Sequence, residues 1–365
     1  MDSISYRCIP ARCGYAAILF ILPIIACQNG ETRFEDSPVI DQLLDSAPQF
    51  VVNTDIEPER WEATIQVGIP NDSLILGSPA HMIVIDDSLY ISEEFGHNIF
   101  AIGAEGYISR KIGRLGKGPG EFTDLNGMQY GGSHVFVKEM ERVQVFTETF
   151  EYVDSFSSLD FMLNTFSISP DYMFLQCPGN PLGGDWLVCA RSLSPPYNWI
   201  PSIKLLPHLD IPNQTGENGN TITVSPGGDR IALAYTGFPY IFIYDDQFRH
   251  LRTIRFEGKQ VHDFQPGGFP AGVPAIGDAF TREFIPIIKF INSRYLITRS
   301  PETDHYIFDL SEDDYRLERK IIFRPINDTE DRRDIIANDF LLHKNHLYIS
   351  DPWEAYVYGY PFNLE

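Results

Sequence analysis

Residues 98–122 read Asn98-Ile-Phe-Ala-Ile-Gly-Ala-Glu-Gly-Tyr-Ile-Ser-Arg-Lys-Ile-Gly-Arg-Leu-Gly-Lys-Gly-Pro-Gly-Glu-Phe122. The first part is a strand, a glycine-bounded turn and a second strand. From Ile112 to Phe122 there are four glycines and one proline in eleven residues. Glycine costs backbone entropy and proline lacks a donor, so this stretch is neither helix nor strand interior. It is a shaped connection between two sheets. A phosphate-binding loop needs Gly-Lys-Ser/Thr leading into a helix, but Lys117 precedes Gly118 and Pro119 and no helical pattern follows. Gly116, Gly118 and Gly120 also miss the spacing of a dinucleotide fingerprint.

Outward from this stretch the same kind of unit recurs. Before it stand His81–Asp87 and Ser88–Ser92, two short alternating segments. Comparable segments begin at His134, Arg142 and Glu151, and at Thr165, Tyr172 and Asp185. Later sets begin at Thr221, Arg230, Tyr240 and Leu251, at Ile287, Arg294, His305 and Arg319, and at Asp339, His346 and Ala355. Aligning the second strand of each set puts Tyr90, Phe136, Phe174, Ala232, Leu296 and Tyr348 in register, at spacings of 46, 38, 58, 64 and 52 residues. Short strands in sets of four at this period predict an all-β, six-bladed β-propeller with four antiparallel strands per blade. The sixth set ends after three strands, and Trp61–Val67 is an unassigned strand near the other end. The expectation is a ring closed by that N-terminal strand, which removes open sheet edges.

Leu89-Tyr-Ile-Ser-Glu-Glu, followed by Asn98-Ile-Phe-Ala-Ile and Gly106, resembles the NHL repeat. Gly116-Lys-Gly-Pro-Gly-Glu-Phe resembles the link between such repeats. With the N-terminal features below, the chain resembles the six-bladed β-propeller lipoproteins of bacteria. The likeness spans about residues 58–365 and is sharpest over 81–146. That group has no agreed activity, so membership implies a fold and an address.

The N-terminus supplies the address. Arg7 and Arg12 precede the short apolar run Tyr15–Ala26, which ends at Ile24-Ile25-Ala26-Cys27. This resembles a bacterial lipobox and implies cleavage after Ala26 and lipidation of Cys27. Gln28 stands where an inner-membrane retention signal would have Asp, which favours the outer membrane. The expected organisation is therefore a signal peptide at 1–26, a flexible tether at 27–57 and a propeller at 58–365. The chain would be lipid-anchored in a bacterial cell envelope, its first partner the bilayer.

Net charge is −22; residues 1–26 carry Arg7, Arg12 and Asp2, a net of +1, which leaves about −23 on the mature chain. Such a balance opposes nucleic acid and anionic membrane surfaces as partners. Besides Cys27, the mature chain keeps Cys177 and Cys189. They would either staple a hairpin or stay as buried thiols. The tight geometry a cross-strand bridge needs tips the expectation slightly toward thiols.

No stretch carries a recognisable catalytic motif, and no Gly-x-Ser-x-Gly elbow occurs. No histidine pair has metal spacing on a helix, and His343 and His346 flank a tight turn. Asp245-Asp246 and Asp313-Asp314 fall where turns are expected. Insertions at 177–185, 205–220 and 257–283 interrupt the later blades, and the longest is expected to lie across a mouth of the ring. Extending the second-strand register by three residues gives Glu93, Glu139, Cys177, Tyr235, Arg299 and Asp351. In a propeller these should ring one mouth. Glu93, Glu139, Tyr235, Arg299 and Asp351 are then candidate ligand residues for a small polar ligand or a cation. The leading expectation is a non-enzymatic module that binds a ligand or an envelope protein. The alternative is a calcium-dependent hydrolase resembling the six-bladed lactonases, with Glu93, Glu139 and Asp351 as carboxylate donors. Fold alone licenses neither.

Overall fold

The first and second strands of three blades meet in turns of two residues, Asp86-Asp87, Gly132-Ser133 and Lys344-Asn345, with positive φ at both. Such turns match the right-handed twist of the flanking strands and so fix a tight hairpin. A computed structural model shows how these hairpins assemble. It describes residues 37–69, 74–93, 96–157, 166–177, 185–209, 219–263, 283–301, 303–311, 314–326, 334–353 and 355–363. Cys27 and the proposed signal peptide lie outside these residues, as do Asp313 and most of each insertion.

Six antiparallel sheets form a six-bladed β-propeller. Blade 1 comprises Pro79–Ile85, Ser88–Glu93, Ile99–Ile102 and Ile108–Ile112. Blade 2 comprises Gly127–Gly131, His134–Lys138, Arg142–Phe146 and Tyr152–Ser157. Blade 3 comprises Phe166–Ile168, Tyr172–Gln176, Trp186–Ser192 and Trp199–Pro207. Blade 4 comprises Asn220–Val224, Arg230–Tyr235, Tyr240–Asp245 and His250–Glu257. Blade 5 comprises Ile288–Phe290, Tyr295–Arg299, His305–Asp309 and Arg316–Arg324. Blade 6 comprises Asp339–His343, His346–Ser350 and Val357–Pro361, completed by Ile65–Val67.

The ring is closed by the N-terminal segment, with Val67 opposite Val357 and Ile65 opposite Gly359. Trp61–Val67 is not one strand, however. Glu59–Glu62 instead pairs parallel with Ile321–Arg324 as a fifth strand of blade 5, and Gln49–Asn53 does the same for blade 4. The tether expected through residue 57 is therefore corrected. Pro38–Asp45 is a helix whose Ile40 is fully buried against blades 3 and 4, so the chain joins the domain by residue 38. Ile40, Leu43 and Leu44 lie on one helical face, which makes the segment a docked element rather than a spacer.

The core is divided between the blades. Leu89 and Ile91 face blade 6, whereas Ile83 and Ile85 pack with Val135 and Val137 of blade 2. Phe136 meets Met173 and Leu175, and Phe174 meets Ile231 and Leu233. Period-two alternation thus sends successive side chains to opposite neighbours, and both faces of every blade are buried.

Cys177 and Cys189 form a disulfide, with Cα atoms 4.8 Å apart. This corrects the expectation of thiols. Cys189 lies opposite Leu175, two residues before Cys177, so the strand pairing itself brings the sulfurs together. A bond of this kind belongs to an oxidising compartment.

Candidate functional site

Each blade is an up-and-down meander. The connection from second to third strand and the linker entering the first strand therefore lie at one end, here called the mouth end. The six-residue register is correct in five blades. In blade 5 the turn Asn292–Arg294 holds three residues, since Ile291 N–H donates to Tyr295 O. The slip of one residue flips every side chain to the other face. Leu296 packs with Ala232 and Ala234 of blade 4, and Ile297 faces Phe340 and Ile349 of blade 6. The equivalent of Glu93 is thus Ser300, not Arg299. The backbone agrees: N–H groups of Glu93, Glu139, Cys177 and Ser300 donate to Asn98, Arg142, Leu187 and Asp304 carbonyls in the same hairpin position.

Each of the three acids has a defined job. Glu93 Oε1 accepts the N–H of Gly77 at 2.7 Å, Glu139 Oε1 that of Thr123 at 2.9 Å, and Asp351 Oδ2 that of Ile336 at 3.3 Å. These donors lie 16, 16 and 15 residues upstream, in the linker that enters the same blade. A carboxylate at the end of the second strand therefore clasps the incoming chain, whose N–H groups would otherwise be buried without a partner. Asn98 Nδ2 supports Glu93 at 3.2 Å, and Arg142 Nε supports Glu139 at 2.5 Å from the equivalent position. Asp351 Oδ1 also accepts the Trp353 N–H at 2.9 Å.

The clasp explains the glycine stretch. Arg142 donates to the carbonyls of Lys117 (2.7 Å) and Glu121 (2.8 Å), and Gln144 Nε2 donates to Glu121 O at 2.8 Å. Gln144 Oε1 accepts the Gly120 N–H at 3.0 Å. Gly113 and Gly120 have φ of 84° and 71°, and a Cβ on Gly113 would strike the Phe122 ring at 2.3 Å. The loop is a fitted linker, and no phosphate site is needed to account for it.

Tyr235 is fully buried, and its hydroxyl donates to the Pro207 carbonyl. Burial pushes this phenol well above its ordinary value. Arg299 occupies the position of Ser350, and both reach the next blade: Ser350 Oγ donates to Ala80 O at 2.7 Å, and Arg299 Nη1 to Ala337 O at 2.6 Å. Burial lowers the Arg299 guanidinium, while Glu283 and Asp351 act in the opposite sense. Burial pushes the neighbouring Glu283 carboxyl up, against the pull of Arg299. His305, opposite Arg299 in the sheet, is fully buried between Phe323 and Phe340. The mouth thus brings Glu283 and Asp351 within electrostatic reach of Arg299, while Glu93, Glu139 and Tyr235 serve their own blades.

A second polar group, not foreseen from the sequence, lines the channel. The innermost strands expose one ladder edge to the axis, and side chains of the preceding blade satisfy it. Ser167 Oγ accepts from Val224 N at 3.0 Å, Thr223 Oγ1 from Phe290 N at 3.1 Å, and Asp339 Oδ2 from Met82 N at 2.8 Å. Lys289 Nζ pairs with Asp339 Oδ1 at 3.0 Å. His81 stands beside them, its pKa lowered to about 4 by burial, with Asp339 opposing and Lys289 and Lys138 adding to the shift. A charged residue inside an otherwise apolar innermost strand, as in Ile288-Lys289-Phe290, is the signal that could have found this group. Among the described residues no three or more His, Cys, Asp or Glu side chains gather as a metal-ligand set.

No family model and no curated relative matches the chain. Among solved structures it is similar to a putative exported protein of Bacteroides fragilis, with 12% identity, a TM-score of 0.52, and 82% and 87% of the two chains covered. It is also similar to a member of the DUF4221 family from Bacteroides vulgatus, at 13% identity and a TM-score of 0.54 over 83% and 97%. At these identities the likeness speaks for the fold alone.

Proposed function

We propose that this propeller is a binding module of the bacterial cell envelope, lipid-anchored through Cys27 and built from NHL-like repeats, presenting its mouth end to a ligand or an envelope protein. One observation carries the reading. Ile75, Leu115, Met140 and Trp353 are 67%, 66%, 44% and 74% exposed, and all four lie in linkers or second-to-third-strand connections at the mouth end. Ser78 Oγ donates to Pro352 O at 3.1 Å and joins the Ile75 linker to the Trp353 loop, so the surface runs from blade 6 into blade 1. The three most exposed large apolar side chains among the described residues, Trp353, Ile75 and Leu115, all lie at this end on loops beside the buried carboxylates, which suits recognition better than a purely structural role. The disulfide and the exported Bacteroides neighbour support an envelope address.

The test is photo-crosslinking in cells. A photoreactive residue at Trp353 should give a discrete adduct. The same residue at Tyr130, 38% exposed near the opposite end, should not. Equal labelling from both positions, or none from Trp353, overturns the reading. Cys27→Ser should release the protein from the membrane fraction, and unchanged fractionation would remove the anchor from the proposal.

A further inference from the structure

The mouth between blades 5 and 6 contains a cation that makes one side-chain hydrogen bond among the described residues. A guanidinium offers five N–H donors in a planar fork. Arg299 spends one nitrogen on Ala337 O, which fixes the orientation of the group. Among the described residues its other N–H groups meet no acceptor. Glu283, in the linker entering blade 5, approaches near enough to feel the charge but makes no ion pair with it. Asp351, on the other side, is engaged by the Ile336 and Trp353 N–H groups. The fork is therefore half-buried and held in place, with donors left over among the described residues.

We propose that Arg299 seats a small anion, the carboxylate or phosphate group of a ligand entering this mouth, in a bidentate contact. The proposal rests on the binding-module reading and deepens it by naming the ligand chemistry. A planar fork matches a carboxylate or phosphate in shape as well as charge, which a lysine ammonium does not. Binding also involves Glu283. Bringing a second negative charge beside a buried carboxyl favours its protonated form, so anion binding takes up a proton at Glu283. The other ionisable groups facing this point are Asp351 and His305. Asp351 is engaged as above, and the His305 ring is held neutral by burial and by the Arg299 charge. Affinity consequently rises as pH falls below neutrality.

The experiment is calorimetric titration of the intact protein in detergent. Succinate and inorganic phosphate at pH 7 distinguish the two ligand chemistries, with chloride matched for ionic strength. Sulfate, whose charge is constant between pH 5 and 7.5, supplies the pH series. Saturable binding by at least one probe is expected, weakened about tenfold or more in Arg299→Lys, which keeps the charge and loses the fork. Glu283→Gln should bind sulfate more tightly at pH 7 and lose the pH dependence. Absence of saturable binding by all three probes overturns the proposal, as does binding that neither substitution alters. A surviving Trp353 adduct in that case would leave the module reading intact and refute the anion alone. If folding of Arg299→Lys is impaired, the pH dependence of the parent and of Glu283→Gln decides.

Discussion

Replacing Glu139 by alanine separates a clasp from a ligand residue. Glu139 is 1% exposed and accepts from Thr123 N, Thr123 Oγ1, Arg142 Nε and Gln144 Nε2 at 2.9, 3.1, 2.5 and 2.8 Å. Removing one partner of a buried ion pair costs about 3–5 kcal/mol. The Arg142 side chain is 23% exposed and keeps its carbonyl partners in the glycine linker, which favours the low end. The Thr123 N–H loses its acceptor, at about 1–3 kcal/mol. The net expectation is about 4 kcal/mol. For a unit spanning residues 34–365, an unfolding entropy of about 2 cal/mol/K per residue converts this to a fall of about 6 °C in Tm. Glu139→Gln keeps an acceptor and should lose about half as much. Thermal melts by circular dichroism measure both. A Glu139→Ala variant that melts within a degree of the parent refutes the clasp, and if it also loses ligand binding the mouth-ligand role returns.

Replacing Cys177 and Cys189 together by alanine should cost about 3 kcal/mol, the loop-closure term for a 12-residue separation, and lower Tm by about 4 °C; a thiol assay finding both cysteines reactive in unreduced, denatured protein would contradict the bond. Deleting residues 58–68 removes the closing strand and the fifth strand of blade 5, and should expose sheet edges and promote aggregation, read by light scattering. The pKa of His305 is lowered to about 3 by burial, then by the Arg299 charge. The unfolded chain therefore binds a proton that the folded chain refuses, and stability falls as pH drops from about 6.5 toward 3, by up to about 1.4 kcal/mol per pH unit from this group. Urea midpoints of His305→Leu should show a flatter dependence over that window, and an unchanged slope would refute the assignment.

The sequence displayed the fold wherever period-two alternation met strong turn chemistry. Asp86-Asp87 and Lys344-Asn345 sit between apolar runs and announce their hairpins. Two strands were hard to see for physical reasons. Gly127–Gly131 begins and ends in glycine, and Trp199–Pro207 contains two prolines, so local propensity argues against both while the neighbouring strands impose them. The outer strands Gln49–Asn53 and Glu59–Glu62 were hidden because parallel addition needs no turn signal next to its partner. The mouth position was legible by counting from the turn, and it failed in blade 5 because a three-residue turn cannot be told from a two-residue one by composition. The role of the acids was not legible at all. Their partners are backbone N–H groups, which every residue but proline carries.

Blade 5, one of the three blades that lack the acid, tests the clasp most sharply. In blade 5 the linker donors corresponding to Gly77 and Thr123 are Phe284 N–H and Ile285 N–H, and both already donate to the Thr236 carbonyl, at 2.5 and 3.0 Å. That carbonyl replaces the carboxylate, so the position can be a serine. Ser300 is 3% exposed, and its hydroxyl meets no partner among the described residues. Introducing the acid of blades 1, 2 and 6 with Ser300→Glu would bury a charge with no linker donor to receive it. The expected loss is roughly 2–4 kcal/mol, from desolvation of an unpaired polar group. A general preference for acids at this register would instead make Ser300→Glu neutral or stabilising. A chemical-denaturation midpoint decides between the two, and a stabilised variant would show that the carboxylates of blades 1, 2 and 6 answer to something other than their linkers.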